Sequence, residues 1–155
     1  MNVEEVMTRN VITVGVDQTK QEAARLLSQH RISGLPVIDN NNVLLGIVTE
    51  YDIISKEGQT VGDIMTHGII SVTANTDLEE VRHILVHERI KRLPVIDQGH
   101  LIGIVSRGDL VREVATRWIC QVCGEVSHSD EQPTNCPRCG AKGLAESPEP
   151  VPPGS

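Results

Sequence analysis

An internal repeat constrains this chain more than any other feature of its sequence. The pattern Val-x-x-Val-Met-Thr that begins at Val3 returns as Val-x-x-Ile-Met-Thr at Val61, which places Met65 opposite Met7. The match continues downstream, where it pairs residues 31–39 with 89–97 and residues 46–52 with 103–109. We therefore expect the two halves of residues 1–117 to share one fold. Because one copy is short for an independent core, the two copies are expected to bury their sheets against each other.

Each copy reads as strand, helix, strand, turn, strand, helix. Thr19 and Asp77 each precede a glutamate by three residues, which is the spacing of a capping box at a helix start. Apolar residues then recur at helical spacing, and those predicted to be buried are Ala23, Leu26 and Leu27 in the first copy and Val81, Ile84 and Leu85 in the second. Short β-branched runs separated by turn residues predict one antiparallel hairpin per copy, at residues 35–48 and 93–105. The predicted fold class is therefore α+β.

Three motifs recur in the same order in both copies: the Met-Thr start, a Leu-Pro-Val-Ile-Asp strand and a Gly-Ile-Val-Thr/Ser-x-x-Asp ending. Through these motifs, residues 3–117 resemble the CBS domain, here in the tandem pair known as a Bateman module. The resemblance implies two pseudo-symmetric repeats, at residues 1–58 and 59–117. It also implies a non-catalytic regulator that binds AMP, ADP, ATP or S-adenosylmethionine between the repeats and forms a homodimer through them. The sequence does not identify the protein partner that is regulated.

The last of these motifs has a chemistry that can be considered by itself. A Thr or Ser hydroxyl at the end of a strand and the start of a helix lies beside free backbone N–H groups, which favours an anion. We therefore expect Thr49 and Ser106 to bind phosphate, and Asp52 and Asp109, one turn further on, to accept ribose hydroxyls. The same spacing also suits a purely structural role, in which these residues cap the helices that follow.

Four further candidates for the nucleotide site come from the resemblance alone. The walls of the adenine end are expected to contain Thr13 and Ser71 on the first strand of each copy, and Pro36 and Pro94 on the second. The alternative is that these residues occupy ordinary strand positions without a ligand.

The charges around the motif differ between the copies. Ser33-Gly34 in the first copy becomes Lys91-Arg92 in the second, and Glu50 becomes Arg107. Cations such as Arg92 favour a more phosphorylated ligand. The alternative is that they are only solvated surface charges.

Four cysteines form two Cys-x-x-Cys pairs, Cys120 with Cys123 and Cys136 with Cys139, and each pair is followed by glycine. This spacing lets both thiolates of a pair face one ion, and four sulfurs complete a tetrahedral metal site. Residues 118–145 resemble zinc ribbons and the rubredoxin-like knuckle. Tetrahedral sulfur suits both zinc and iron. Because Trp118 is the only aromatic residue here, whereas rubredoxins pack several around their iron, we expect structural zinc, and we expect His128 to be a surface residue.

The segment from Asp109 to Trp118 contains neither glycine nor proline. We therefore expect a helix that runs from the second motif almost to the first cysteine, so that ligand binding at Asp109 tilts this helix and moves the metal ribbon. Beyond it, the proline-rich residues 146–155 are expected to form a disordered tail.

Composition narrows the remaining classes of function. The net charge of -7 and the pI near 5.3 give no support to a nucleic-acid partner. Apolar runs are too short for a membrane span, and acids stand where a signal peptide carries positive charge, so we expect a cytoplasmic protein. No catalytic set is recognisable, which predicts that the chain is not an enzyme. The alternatives are a rubredoxin-like iron protein for electron transfer and a zinc-ribbon regulator that binds nucleic acid.

Overall fold

A computed structural model describes residues 1–146 of the chain. The first repeat contains α1 (Val3–Val6), α2 (Lys20–His30), β1 (Gly34–Ile38), β2 (Leu44–Thr49) and α3 (Glu50–Ser55). The second contains α4 (Val61–Ile64), β3 (Val72–Thr73), α5 (Leu78–His87), β4 (Arg92–Asp97), β5 (His100–Ser106) and α6 (Arg107–Ala115). The ribbon contains β6 (Arg117–Cys120), β7 (Val126–His128) and β8 (Leu144–Glu146). The predicted α+β fold of two matched repeats and a small ribbon is confirmed.

The long helices α2 and α5 begin where the polar residues predicted. Thr19 Oγ1 accepts a hydrogen bond from Glu22 N at 3.1 Å, and Asp77 Oδ1 accepts one from Glu79 N at 2.9 Å. The buried faces agree with the predicted spacing: Ala23, Leu27, Val81 and Leu85 are buried, and Leu26 and Ile84 are half-buried against the cores.

Each repeat forms its predicted hairpin. β1 pairs antiparallel with β2, and β4 pairs antiparallel with β5, each pair with one register shift near its turn. The predicted first strand is short in the second repeat, where β3 lies parallel to β4, and in the first repeat it is reduced to one bridge between Val14 and Val37.

The short helices α1 and α4 lie in the Met-Thr starts, where no helix was predicted. Four residues are too few to show helical periodicity, although their caps are visible in the sequence. Asn2 N donates to the Glu5 carboxylate at 2.7 Å, and Thr60 N donates to the Asp63 carboxylate at 3.1 Å. These are reciprocal contacts of the kind that start a helix.

The two repeats exchange these short helices. Val3 and Met7 pack in a core made otherwise from the second repeat, around Val81, Leu93 and Val105. In the reciprocal core, the second repeat contributes Val61, Ile64 and Met65 to Val14, Ala23, Leu27, Leu35, Val37 and Val48 of the first. Each hydrophobic core is therefore completed by residues from the other repeat.

Backbone pairing fixes this exchange on both sides. Thr8 and Ile104 form two backbone hydrogen bonds of 2.8 and 2.9 Å, and Thr66 and Ile47 form two of 2.8 and 3.0 Å. Two glycines allow the crossing segments to come this close. A Cβ at Gly46 would lie 2.4 Å from the carbonyl oxygen of Thr66, and one at Gly103 would lie 2.8 Å from Met7 Sδ.

The prediction of a helix reaching Trp118 is wrong, because α6 ends at Ala115 and a strand begins at Arg117. Thr116 closes the helix by donating its hydroxyl to the carbonyl of Arg112 at 2.8 Å. The next residues then pair as the central strand β6 between β7 and β8.

The ribbon extends one residue further than predicted. Glu146, which was assigned to the tail, pairs with Trp118 in the sheet. Residues 147–155, the rest of the predicted tail, lie outside the described residues. None of the described helices has the length and apolarity needed to cross a membrane.

Candidate functional site

A cleft of about 610 Å³ lies between the two repeats, and we call it the first cleft. One wall comes from the first repeat, with Ser33, Gly34, Ile47, Thr49, Glu50 and Tyr51. The other wall comes from the second repeat and contains Thr66, His67, Gly68, Ile69, Ile70, Ile90, Lys91, Arg92 and Pro94. The cleft combines an apolar isoleucine-rich lining with four hydroxyl side chains and the two cations Lys91 and Arg92.

A smaller cleft of about 210 Å³, the second cleft, is related to the first by the internal repeat. Its lining includes Thr8, Pro36, Ile104 and Ser106, which match Thr66, Pro94, Ile47 and Thr49 of the first cleft. Arg92 lines both clefts.

The first motif forms a tight capping arrangement around a buried carboxylate. Asp52, only 1% exposed, accepts hydrogen bonds from Thr49 N at 2.9 Å and from Thr49 Oγ1 at 3.1 Å. Its oxygens also accept the Thr66 hydroxyl at 3.1 Å and the Lys56 ammonium at 2.7 Å. Burial by itself raises the pKa of Asp52, but the bonds from Lys56, Thr49 and Thr66 outweigh it and hold the pKa below the usual 3.8.

The second motif has the same cap with fewer partners. Asp109 accepts hydrogen bonds from Ser106 N at 2.8 Å and Ser106 Oγ at 3.1 Å. Its other oxygen lies 3.6 Å from the guanidinium of Arg112, whose side chain is 71% exposed. The position that Lys56 occupies in the first repeat is held here by Glu113. Asp109 is therefore less completely bonded than Asp52.

The predicted nucleotide residues divide into three groups. Thr49, Arg92 and Pro94 line the first cleft, and Pro36 and Ser106 line the second together with Arg92. Thr13, Asp52, Ser71 and Asp109 line neither cleft. Asp109 instead borders a separate depression of about 320 Å³ beside Glu113 and His128. The helix-capping role is therefore observed for both aspartates, and their role in nucleotide binding stays a prediction.

The sequence reasoning missed the threonines of the Met-Thr starts as cleft residues. Thr66 lines the first cleft and Thr8 lines the second. The signal was present, because both threonines recur at matched positions of the repeat. Their approach to the opposite repeat depends on the exchange of short helices.

The four cysteines form a metal-binding site. Their Sγ atoms all lie within 4.8 Å of one another, with Cys120 to Cys139 at 3.7 Å and Cys123 to Cys136 at 3.6 Å. A tetrahedron with metal–sulfur bonds of about 2.3 Å has edges of about 3.8 Å, so the observed sulfur arrangement fits one ion of this kind. The residues of the site therefore suit the metal that the spacing predicted.

Backbone amides prepare these sulfurs for a cation. Cys120 Sγ accepts the N–H groups of Val122 and Cys123 at 3.4 Å. These amides lower the pKa of Cys120 to about 6. The backbone hydrogen bond from Glu125 lowers the pKa of Cys123, but burial and the neighbouring thiols outweigh it and raise this pKa to about 12. Cys136 has the same type of amide donors and a lowered pKa. Thus one sulfur in each pair accepts two backbone N–H groups and has a lowered pKa.

A buried glutamate joins the second repeat to the ribbon. Glu113 on α6 forms an ion pair with Arg117 at the start of β6 and lies 3.1 Å from Nε2 of His128 on β7. Burial raises the pKa of Glu113, but the bonds and charges of Arg117 and His128 outweigh it and lower the pKa overall. The side chain of His128 is 33% exposed and contacts this carboxylate.

Two family models match the chain. The one described as "CBS domain" matches residues 3–58 and 61–116. The one described as "Rubrerythrin, rubredoxin-like domain" matches residues 118–143. Together they account for both repeats and for the four-cysteine ribbon.

Individual proteins agree with these matches. The chain is 35% identical over 137 residues to the CBS domain-containing protein YhcV of Bacillus subtilis, covering 83% of this chain and 97% of the relative. The crystal structure of CBSX2 in complex with AMP is similar with a TM-score of 0.69 and 36% identity, over 72% of this chain and 93% of that one. The CBS domain pair of protein MJ0100 in complex with 5′-methylthioadenosine and S-adenosyl-L-methionine has a TM-score of 0.66 and 28% identity, over 72% of this chain and 94% of that one.

Proposed function

Because this chain belongs to the CBS-domain family and carries a tandem pair with a rubredoxin-like ribbon, we propose that it is a non-catalytic regulator that binds an adenine nucleotide between its repeats. The single observation that carries this proposal is the first cleft. It combines an apolar wall for a base with the cations Lys91 and Arg92 for phosphate.

The similar structures support the class of ligand. CBSX2 was crystallised with AMP, and the MJ0100 domain pair with 5′-methylthioadenosine and S-adenosyl-L-methionine. All three ligands contain an adenosine core. We therefore propose AMP, ADP, ATP or S-adenosylmethionine as ligands of this chain, with Thr49, Arg92 and Pro94 as contacts in the first cleft and Pro36 and Ser106 in the second.

We propose zinc as the metal of the ribbon, held by Cys120, Cys123, Cys136 and Cys139. A site filled by four thiolates is closed, so a zinc ion there stabilises the fold and has no open position for substrate. Its contribution in this chain is to hold together a ribbon whose apolar core is limited to a few residues around Leu144.

Iron with an electron-transfer role is the second candidate, and one observation favours it. Cys123 and Cys139 are exposed, as is the side chain of Val122 at 71%, so two sulfur ligands lie at the protein surface, where an electron-transfer partner has access to them. Metal analysis and visible spectroscopy distinguish the two metals. A red preparation that bleaches on reduction supports iron, whereas a colourless preparation with one zinc per chain supports structural zinc.

We propose that the ribbon is the output of the regulator. Helix α6 carries Asp109 in its first turn and Glu113 one turn later, and Glu113 binds Arg117 and His128 of the ribbon. A movement of the first turn of α6 is therefore transmitted through one helical turn to Glu113, which contacts the ribbon. Hydrogen exchange of residues 110–140 with and without saturating nucleotide tests this coupling, and unchanged exchange refutes it.

We also propose a cytoplasmic homodimer. The described helices leave apolar side chains exposed in both repeats, with Ile54 at 84%, Val111 at 67% and Val86 at 65%. A second copy that packs on these helices removes that surface from water. Light scattering that gives a monomer at micromolar concentration contradicts the dimer. The four reduced thiols are consistent with a reducing compartment.

The test of nucleotide binding is calorimetry with AMP, ADP, ATP and S-adenosylmethionine on the natural chain, Asp52→Ala and Asp109→Ala. Binding of at least one ligand supports the sensor. A natural chain that binds none of the four refutes it.

A further inference from the structure

Two histidines lie side by side on the exposed face of α5. His83 and His87 are four residues apart on this helix, and their ring centroids are 4.0 Å from each other, with the ring planes tilted by 44°. We propose that this pair is a second metal site, which binds a divalent transition-metal ion such as zinc or nickel through one nitrogen of each imidazole. The site is separate from the four-cysteine ribbon and from both clefts.

The position of the pair along α5 brings the two rings together. Residues four apart on a helix lie on the same face, with Cβ atoms about 5–6 Å apart. Val81 and Leu85 of α5 are buried in the core of the second repeat, so the opposite side of the helix, which carries His83 and His87, faces water. Two histidines at i and i+4 are the arrangement with which a helix holds zinc, at nitrogen–metal distances of about 2.0–2.1 Å.

The rest of the protein leaves both imidazoles available. Among residues 1–146, neither ring of the pair forms a hydrogen bond or an ion pair with another group, and both side chains are exposed. His128, in contrast, already has the Glu113 carboxylate 3.1 Å from its Nε2. A metal ion at His83 and His87 therefore displaces only water, and imidazole nitrogen is a ligand that suits zinc, nickel and copper.

The end of the helix adds a favourable charge. His87 is the last residue of α5, where the carbonyl groups without helical partners give the C-terminus a partial negative charge. Glu80 is exposed on the same face, three residues before His83, and adds a carboxylate. A divalent cation bound between the two neutral rings is stabilised by both charges.

The number of protein ligands distinguishes this site from the ribbon. Among the described residues, three or more metal-binding side chains converge only at the four cysteines. The histidine pair therefore supplies two ligands, and water supplies the others. A site with open positions exchanges its ion, whereas a site closed by four thiolates retains it.

The internal repeat shows that the first repeat lacks this pair. The positions in α2 that match His83 and His87 are Arg25 and Gln29. Helix α2 does end in a single exposed histidine, His30, but no histidine lies one turn before it. The chain thus contains its own comparison between a pair of histidines and a single histidine at equivalent helix ends.

Calorimetry with zinc chloride tests the inference on chains whose four-cysteine site has been filled beforehand. The natural chain should bind a further zinc ion, more weakly than the ribbon does. His83→Gln and His87→Gln should each weaken this binding by about tenfold or more, because the loss of even an outer partner of a metal ligand has an effect of this size. His30→Gln is the matched control and should keep it. All three positions are exposed, and a thermal melt confirms that each variant folds.

Hydrogen exchange provides a second measurement. An ion held by both histidines should slow exchange in the last turn of α5 and leave α2 unchanged, because it stabilises only the structure that binds it. The inference is overturned if the natural chain with a filled ribbon binds no further zinc. It is also overturned if both His83→Gln and His87→Gln bind the further ion as tightly as the natural chain, because the ion then lies elsewhere.

Discussion

Lys56 and Glu113 occupy equivalent positions in the two repeats, four residues after the motif aspartate, but they bind different parts of the molecule. Lys56 turns back to Asp52 at 2.7 Å, so the first motif closes on itself. Glu113 turns away from Asp109 and binds Arg117 and His128 of the ribbon. A reversal of charge at this position therefore distinguishes the two motifs. The aspartate of the first motif is bound by a lysine of its own repeat, whereas the helix of the second motif is bound to the ribbon.

Replacing Lys56 should destabilise the first repeat. Lys56→Met leaves the buried Asp52 carboxylate without its cation, and the expected loss is about 1–2 kcal/mol, below the full cost of breaking a buried ion pair because Lys56 is partly exposed. Urea unfolding measures the change. The matched control is Arg112→Met, because Arg112 lies 3.6 Å from Asp109 and is largely exposed. Its loss should be below about 0.5 kcal/mol, and equal losses for both variants contradict the difference between the motifs.

The pH dependence of the first repeat should follow Asp52. Its pKa is lower in the folded chain than the usual 3.8, so the stability it contributes is present above that value and is lost as the pH falls through the folded pKa. Hydrogen exchange of α2 measured from about pH 6 down to about pH 3 should show this loss. Asp52→Asn removes the titrating group, so its α2 should show a flatter pH dependence. Parallel curves for the two proteins refute the assignment.

The close approach of the repeats at Gly46 should not tolerate a methyl group. In Gly46→Ala the Cβ would meet the Thr66 carbonyl at 2.4 Å and Met65 Cε at 2.5 Å, and we expect a loss of about 2–4 kcal/mol. Gly108→Ala is the matched control, because the nearest atom to its Cβ is Ser106 Oγ at 3.6 Å and the residue lies in α6. That change should be neutral or stabilise by up to about 1 kcal/mol. A small effect at Gly46 means that the crossing segments are further apart.

Removing the metal should unfold the ribbon and leave the repeats intact. Trp118 is the single tryptophan, and its indole N–H donates to the carbonyl of Ser129 at 2.9 Å inside the ribbon. A chelator should therefore shift its fluorescence to the red, while exchange protection of α2 and α5 persists. Cys136→Ser, which lacks one buried ligand, should show the shifted spectrum before chelator is added. Unchanged emission after complete metal removal contradicts a metal-dependent ribbon.

The sequence predicted elements that depend on local patterns. The two hairpins, the long helices and the four-sulfur cluster each have a signal contained in a few neighbouring residues. The exchange of α1 and α4 was not predictable in this way, because the partners of Val3 and Val61 are distant in sequence. The end of α6 was missed for the same reason, since strand pairing by Trp118 with Ser127 and Glu146 overrides the helical preference of the segment.

In the candidate site, too, the features with a local sequence pattern were predicted and those that depend on distant residues were not. The matched motifs selected Thr49, Ser106 and both aspartates for nucleotide binding, with helix capping as the alternative, and the structure contains the caps. The spacing of Asp52 and Lys56 does not by itself distinguish a surface ion pair from a buried carboxylate that is held by several hydrogen bonds. That distinction depends on Thr66, which the other repeat supplies.

Because the short helices α1 and α4 are exchanged, neither repeat has a complete hydrophobic core without the other. A single repeat cut free after residue 58 would leave behind Val61, Ile64 and Met65, the side chains that close its own core, and would expose Val3 and Met7 to water. An ancestral single copy could close both cores only by pairing with a second copy of itself. The present chain thus covalently links what would otherwise be an obligate dimer, so that the two clefts between the repeats can differ from each other without loss of the shared cores.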